Sequence, residues 1–291
     1  MSISRRSFLK TSLTTTGGLF ATSVAYAGYG YAHSYFTSAD VTSYQVNTRK
    51  LPADFALNIA FVTDMHVGCP TMSLEQTAHI VEQVNDLQPD IILLGGDHQI
   101  NKHYDWRTKF LSPAPIAHVL KALDAPMGVY GVMGNHDWDR SHDGMMRALN
   151  KTSHIRIGEN ERLTLCKDNT EFDLVLLPDY KTRGHHFDCD VFDNLDKRPT
   201  FVVSHDPMFF RDVPDDTILQ LSGHTHGGQV TLMGVPLYLP THGLPLNWAY
   251  GHINMQDNKQ MIVSSGLGTS TASIKTTPNE IVQVRVQGLG L

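Results

Sequence analysis

The chain has 291 residues, a formal net charge of −6 and 41% hydrophobic residues, enough to bury one large core or two small ones. Mild acidity without a basic stripe or a long Lys/Arg run argues against a surface made to follow nucleic-acid phosphates, so no nucleic-acid partner is expected. Histidine is the outlier: there are 16, and they gather beside Asp, Asn and Gly.

The N-terminal MSISRRSFLK sets Arg5 and Arg6 ahead of Ser7, Phe8, Leu9 and Lys10, and no charged side chain follows until Asp40. Residues 11–27 are moderately apolar and end in Ala25, Tyr26 and Ala27, an A-x-A pattern suited to a signal peptidase. The segment resembles a twin-arginine export signal, a route for folded proteins. That implies the export machinery as a partner, with the periplasm or the outer face of the cytoplasmic membrane as destination. A membrane span needs about 20 strongly apolar residues, and this stretch is diluted by hydroxyls. An uncleaved leader acting as a weak anchor, with peripheral membrane contact, is the other expectation. Residues 28–54 read as a linker or N-terminal extension, and 55–291 as the main domain. Cys69, Cys166 and Cys189 show no C-x-x-C spacing, so neither a disulfide framework nor a thiolate zinc site is expected.

From residue 50 onward, apolar runs alternate with amphipathic stretches. LNIAFVTD (57–64) reads as a buried strand. Ser73 and Gln76 form a capping-box pattern, followed by Leu74, Ala78, Val81 and Val84 at helical spacing. DIILLGGD (90–97) is a second strand, a helical stretch surrounds residues 117–123, and MGVYGVMGNHD (127–137) is a third strand. A short helix near 145–149 precedes β-like runs at HIRIG, RLTLC, FDLVLLPD, PTFVVSHDP, TILQLSGHTH, QMIVSSG and EIVQVRVQ. Alternation in the first half and strands in the second predict α/β layers with a mixed sheet, in one domain.

Polar residues close these apolar runs. Asp64 and His66 end the first, Asp97 the second, Asn135 and His136 the third, His205 a later one, and His224 with His226 another. Ligands bind at the carboxyl ends of strands in open α/β sheets. Residues two apart in extended chain face one side, which would aim Asp64 with His66, and His224 with His226, into one cavity. Each motif alone is also an ordinary surface turn; five in order are hard to produce by chance. Ligands of mixed nitrogen and oxygen type suit two divalent ions such as Mn, Fe, Zn or Co.

The set D-x-H (Asp64, His66), G-D (Gly96, Asp97), G-N-H-D (Gly134 to Asp137), a lone His205 and G-H-x-H (Gly223 to His226) resembles the calcineurin-like metallophosphoesterase superfamily over roughly residues 55–287. The trailing GGQV, the paired arginines and the late SSGLGT look similar to its exported YkuE/YaeI-like branch. The resemblance implies two mixed β-sheets packed as a sandwich flanked by helices, making 55–291 a catalytic domain. It implies one metal on Asp64, His66, Asp97 and His226, and a second on Asp97, Asn135, His205 and His224, with Asp97 bridging. Paired cations would ready a water or hydroxide for in-line attack on phosphorus, and His136, off the metals, would serve the departing oxygen.

Asp137 either orients His136 or caps the following loop. His98 is expected to point away from the metals. Ile100 stands where purple acid phosphatases carry a tyrosine, which disfavours that branch. Arg183, His185 and His186 are read either as a phosphate-binding rim or as an exposed loop. The segment 233–255, with Leu246 and Trp248, either packs on the sandwich or forms an apolar rim for an esterified, lipid-like substrate. A phosphodiesterase is therefore expected; the alternatives are a phosphomonoesterase or pyrophosphohydrolase on lipid or nucleotide-linked substrates, or a scaffold without catalysis.

Overall fold

A computed structural model describes residues 38–290 except 104–105, 142, 184–185, 194–197, 256–258 and 271–272, together with Ala25, Gly28 and Gly30. The expected leader at 1–27 lies outside the described residues apart from Ala25. Among the described residues no helix is long and apolar enough to cross a membrane.

The elements follow as β1 (Asp40–Thr48), β2 (Ala56–Val62), α1 (Leu74–Asp86), β3 (Ile91–Leu94), α2 (Pro113–Leu120), β4 (Val129–Gly131), α3 (Asn135–Ser141), α4 (Gly144–Asn150) and β5 (Ile155–Ile157). Then come β6 (Glu161–Lys167), β7 (Thr170–Leu176), α5 (Tyr180–Arg183), β8 (Thr200–Val203), β9 (Leu219–Ser222), β10 (Thr231–Leu232), β11 (Val235–Pro236), β12 (Gly251–Asn254), β13 (Gln260–Val263) and β14 (Glu280–Gly288). Two six-stranded sheets result, in the orders β1-β14-β2-β3-β4-β5 and β12-β13-β9-β8-β7-β6. Strands β2 to β5 run parallel, as do β7, β8, β9 and β13, while β14 runs antiparallel to β2 and parallel to β1. This is the expected mixed-sheet sandwich.

Strand periodicity explains the layers. In β2, Leu57, Ile59 and Phe61 point into a core shared with Phe172, Leu174, Phe201, Leu219 and Ile262 of the opposite sheet. Ala60 and Val62 face the other way, onto Ile80, Val81 and Val84 of α1, Ile116 of α2 and Leu149 of α4. Because β2 to β4 are covered on both faces, their sequences are continuous apolar runs rather than alternating ones. Each fully buried Leu, Ile or Phe contributes about 1.5–3 kcal/mol.

Several expectations shift. Strand β1 lies in the stretch read as linker or extension and joins the first sheet through β14. It was hidden because only Val46 of its nine residues is fully buried. The third run stops at Gly131, and Asn135 and His136 open helix α3 instead of ending a strand. Helix α1 buries Thr77, Ile80, Val81 and Val84, leaving Leu74 and Ala78 at the margin. All three cysteines are free.

The capping reading can be checked on α1, where the Ser73 hydroxyl accepts from the Gln76 amide at 3.1 Å. Ser73→Ala should cost about 1 kcal/mol, read as a lower denaturant midpoint with an unchanged slope; an unchanged midpoint would show that the cap contributes nothing.

Candidate metal centre

All eight sequence-predicted residues sit on the loops, or the first helical residues, that follow the carboxyl ends of parallel strands. Asp64 and His66 follow β2, Asp97 follows β3, Asn135 and His136 follow β4, His205 follows β8, and His224 and His226 follow β9. Two sheets thus meet at one edge, and none of these residues exceeds the 8% exposure of His136.

The backbone reaches this arrangement by an unexpected route. Asp64, His66, Asp97, His224 and His226 all have φ between 47° and 68°. The D-x-H and H-T-H pairs are therefore left-handed turns and not extended chain, so strand alternation is not what aims them. Such conformations cost about 1–3 kcal/mol each and persist only where the surroundings over-determine them. Here the loops hold one another. The Asp64 amide donates to Gly96 O at 3.0 Å, His66 to Asp97 O at 2.9 Å, and Gly268 to Asp64 O at 2.7 Å. The His224 amide donates to Asp64 Oδ2 at 2.9 Å, and the His136 amide to Asp97 Oδ1 at 2.8 Å. Glycine is required where backbone meets carboxylate: a Cβ at Gly134 would collide with Asp97 Oδ1, and one at Gly223 with Asp64 Oδ2.

Two groups of ligand-type atoms result, Asp64 with His66 and His226, and Asp97 with His205 and His224. In the first, His66 Nε2 lies 3.0 Å from His226 Nε2, and His226 Nε2 lies 3.4 Å from Asp64 Oδ1. In the second, His205 Nε2 is 3.2 Å from Asp97 Oδ2 and 3.1 Å from His224 Nδ1. Asp97 Oδ2 is also 3.6 Å from His66 Nε2, so one carboxylate oxygen faces both groups.

The donor chemistry fits cations. Asp64 Oδ1 and Asn135 Oδ1 are buried without a hydrogen-bond partner, a cost of about 1–3 kcal/mol for each acceptor if nothing satisfies it. Burial holds His66, His136 and His224 well below the ordinary imidazole range and lowers His226 to about 4. Their ring nitrogens are thus neutral near pH 7, the form in which imidazole ligates a metal. Burial pushes Asp97 up to about 7 against the pull of His205. Burial likewise opposes charge on His205, but Asp97 overcomes it and carries His205 well above its usual range.

His136 lies beside both groups and, at 8% exposure, is the least buried of the eight. Its ring meets that of His66 edge to face at 4.5 Å, Nδ1 has no partner, and the ring lies close enough to His66 and Asp97 to be grouped with them. After burial and the neighbouring His226 and His205, the exposed Lys181 and Lys102 add to what disfavours charge on it, two residues that the sequence reading did not single out.

Other expectations resolve around this cluster. Asp137 does not orient His136: Oδ2 accepts from the amides of His98 and Gly134, and Oδ1 from that of Gln99, tying the loops after β3 and β4 together. His98 turns away, with Nε2 3.2 Å from Val132 O. Arg183 is stacked over Trp138 at 4.5 Å and paired with Glu159 at 3.5 Å, His186 is exposed, and His185 lies outside the described residues. Trp248 belongs to the core, edge to face with Phe210 at 5.3 Å, which is the packing alternative for this segment and not the Leu246/Trp248 rim; Leu246 is exposed. Leu237 and Tyr238 instead line a cavity of about 100 Å³ with Thr225, His226 and Gly228.

Two supporting carboxylates went unread. Asp206 Oδ2 lies 3.5 Å from His224 Nε2 and accepts from the Thr241 hydroxyl at 2.7 Å, which places a carboxylate behind the ring. Its signal was its place directly after His205. Glu280 Oε2 accepts from the Ser265 amide at 3.0 Å and its hydroxyl at 2.8 Å, bracing the SSGLGT loop behind Asp64.

A model of the calcineurin-like phosphoesterase family matches residues 57–253. The chain belongs to that family. It is 28% identical over 279 residues to an uncharacterized metallophosphoesterase of Aquifex aeolicus, covering 92% of this chain and 98% of that protein. It is 25% identical over 280 residues to the uncharacterized metallophosphoesterase YkuE of Bacillus subtilis, covering 94% and 93%. Among solved structures, the Haemophilus influenzae NAD nucleotidase aligns with a TM-score of 0.49 and 14% identity, over 73% of this chain and 51% of that one.

Because one Asp97 oxygen faces both groups, Asp97→Ala should strip most of the metal from the protein and abolish phosphoester turnover, measured by elemental analysis beside an ester assay. Retention of metal and activity would remove Asp97 from the centre.

Proposed function

We propose that this member of a metal-dependent phosphoesterase family is a phosphodiesterase working with two divalent cations, of Mn, Fe, Zn or Co type. Asp64, His66, Asp97 and His226 would hold one, and Asp97, Asn135, His205 and His224 the other. The single observation that carries the reading is the shared reach of Asp97 Oδ2, 3.2 Å from His205 and 3.6 Å from His66. When bound, such a pair supplies Lewis acidity, neutralising phosphoryl charge and acidifying a water.

The protein's own groups do the rest. The left-handed loops hold the ligands in place before substrate arrives, so little reorganisation accompanies reaction. Lys102 and Lys181 draw an anionic ester toward the mouth. His136, kept neutral by burial, presents an N–H there and donates a hydrogen bond to the departing oxygen or to the charge developing on phosphorus. The cavity beside His226, walled by Leu237 and Tyr238, receives the organic half of the ester. That wall favours a phosphate carrying two substituents, a lipid headgroup diester above all, over a free monoester.

The leader extends the proposal to location. A twin-arginine route would deliver the folded chain to the periplasm or the outer face of the cytoplasmic membrane, where lipid phosphodiesters are at hand.

Metal-loaded protein should hydrolyse an aryl phosphodiester faster than the matching monoester, and His136→Ala should keep its metal while kcat falls by about 100-fold. A preference for the monoester would overturn the diester reading, and loss of metal in the variant would make His136 a ligand. For export, Arg5→Lys with Arg6→Lys should leave active enzyme in the cytoplasm on cell fractionation; export of the variant would point to another route.

A further inference from the structure

Strands β10 and β11 form a small hairpin that belongs to neither large sheet. Its side chains are apolar and in solvent: Leu232, Val235, Leu237 and Tyr238 are each more than half exposed, and Met233 at the turn is 95% exposed. Gly234 beside it has φ +80° and open space on its Cβ side, so the tip projects from the body of the protein. A monomer in water gains nothing from holding five such side chains together in solvent.

The surrounding sequence decides what kind of surface this is. From residue 217 through 256 the chain contains no Asp, Glu, Lys or Arg. Protein interfaces ordinarily ring an apolar centre with a polar rim. An uncharged protrusion of Leu, Met and Val with a tyrosine behind it matches the bilayer boundary, where apolar groups enter the acyl region and tyrosine lies at headgroup level.

Two connections give the hairpin direction. Its base packs against the loop that follows His226: a Cβ at Gly228 would collide with Pro236, the Leu237 amide donates to Val230 O at 3.0 Å, and Leu237 and Tyr238 share a cavity with His226. The hairpin is also linked, through residues 275 and 276, to Gly30. Gly30 O accepts from the Lys275 amide at 3.4 Å, the Thr276 amide donates to Gln229 O at 2.8 Å, and the Thr231 amide donates to the Thr276 hydroxyl at 2.9 Å. Residues 11–39, which pass through Gly30, are uncharged as well. Gly30, the described residue of that uncharged stretch bonded to Lys275, therefore lies one step of backbone from the segment that pairs with Gln229 and Thr231.

We propose that the hairpin around Met233 docks the enzyme on the surface of a phospholipid bilayer, with the cavity at Leu237 and Tyr238 leading from that surface to His226. The hairpin tip enters the boundary and the metal centre stays above it, so a lipid phosphoester reaches the centre without leaving the membrane. The inference deepens the diester reading, but the docking itself needs neither metal nor turnover.

Flotation of the full chain with vesicles of phosphatidylethanolamine and phosphatidylglycerol tests it. The native chain should float with the vesicles. Met233→Glu combined with Val235→Glu should lower the partition coefficient at least about tenfold, because two charges would have to enter the boundary, while metal content and hydrolysis of a soluble aryl diester stay unchanged. Undiminished flotation of the double variant would overturn the proposal, as would failure of the native chain to float. Loss of flotation only on Trp106→Ser, a tryptophan 89% exposed elsewhere on the surface, would place docking on that other site and overturn it too. A native dimer that the double variant turns into a monomer in sedimentation, with flotation unaltered, would make a second copy the occupant. Hydrolysis of the soluble diester tests the phosphodiesterase reading separately, so the two can fail independently.

Discussion

The site depends on a carboxylate that is buried and yet asked to face two groups of imidazoles. Asp97 is 2% exposed, and burial raises its pKa to about 7, so the fold opposes its charge unless positive partners are supplied. That value holds even with His205 3.2 Å away and the backbone amide of His136 at 2.8 Å. What remains unsatisfied, at Asp64 Oδ1 and Asn135 Oδ1, is a demand for cations written in buried oxygen.

Meeting that demand requires backbone that is unfavourable by itself. Five of the clustered residues adopt left-handed conformations, and each is held by a hydrogen bond from a loop of another strand or by a glycine that lets carboxylate and backbone meet. The sandwich makes this affordable. Its central core, Phe61 and Ile59 against Phe172 and Phe201, brings β2, β3 and β4 of one sheet beside β8 and β9 of the other, so five loops open onto one edge. Around this edge the support continues outward: Asp206 behind His224, Glu280 behind the loop that covers Asp64, and Asp137 between the loops of β3 and β4.

Most of this order was legible in the chain. The continuous apolar runs at 57–64 and 90–97 announced buried parallel strands, and the polar residues that close them announced the site, because a group placed at the carboxyl end of a buried strand has one edge to occupy. Strand β1 was not legible. It is an edge strand with one fully buried residue, and its partner β14 lies more than two hundred residues away. Asp206 has no spacing of its own that marks it out from other carboxylates, and the positions of Lys102 and Lys181 in sequence do not show that they come near His136.

The sequence by itself determined the layered α/β class and which residues close the apolar runs at one sheet edge, since periodicity and residue type are local properties. It also determined that 217–256 would be free of charge. Only the tertiary structure decided how those residues meet. The left-handed turns at Asp64, His66, His224 and His226 persist because the Gly96 and Asp97 carbonyls, the Asp64 carboxylate and the Thr277 hydroxyl bond to them from other loops, where a local tolerance of Asp and His for positive φ would not by itself select them. The same long-range packing took Trp248 into the core and left Leu237 and Tyr238 at the cavity, a choice between apolar side chains of one uncharged segment that depends on which of them meets β13 and the Phe210 ring.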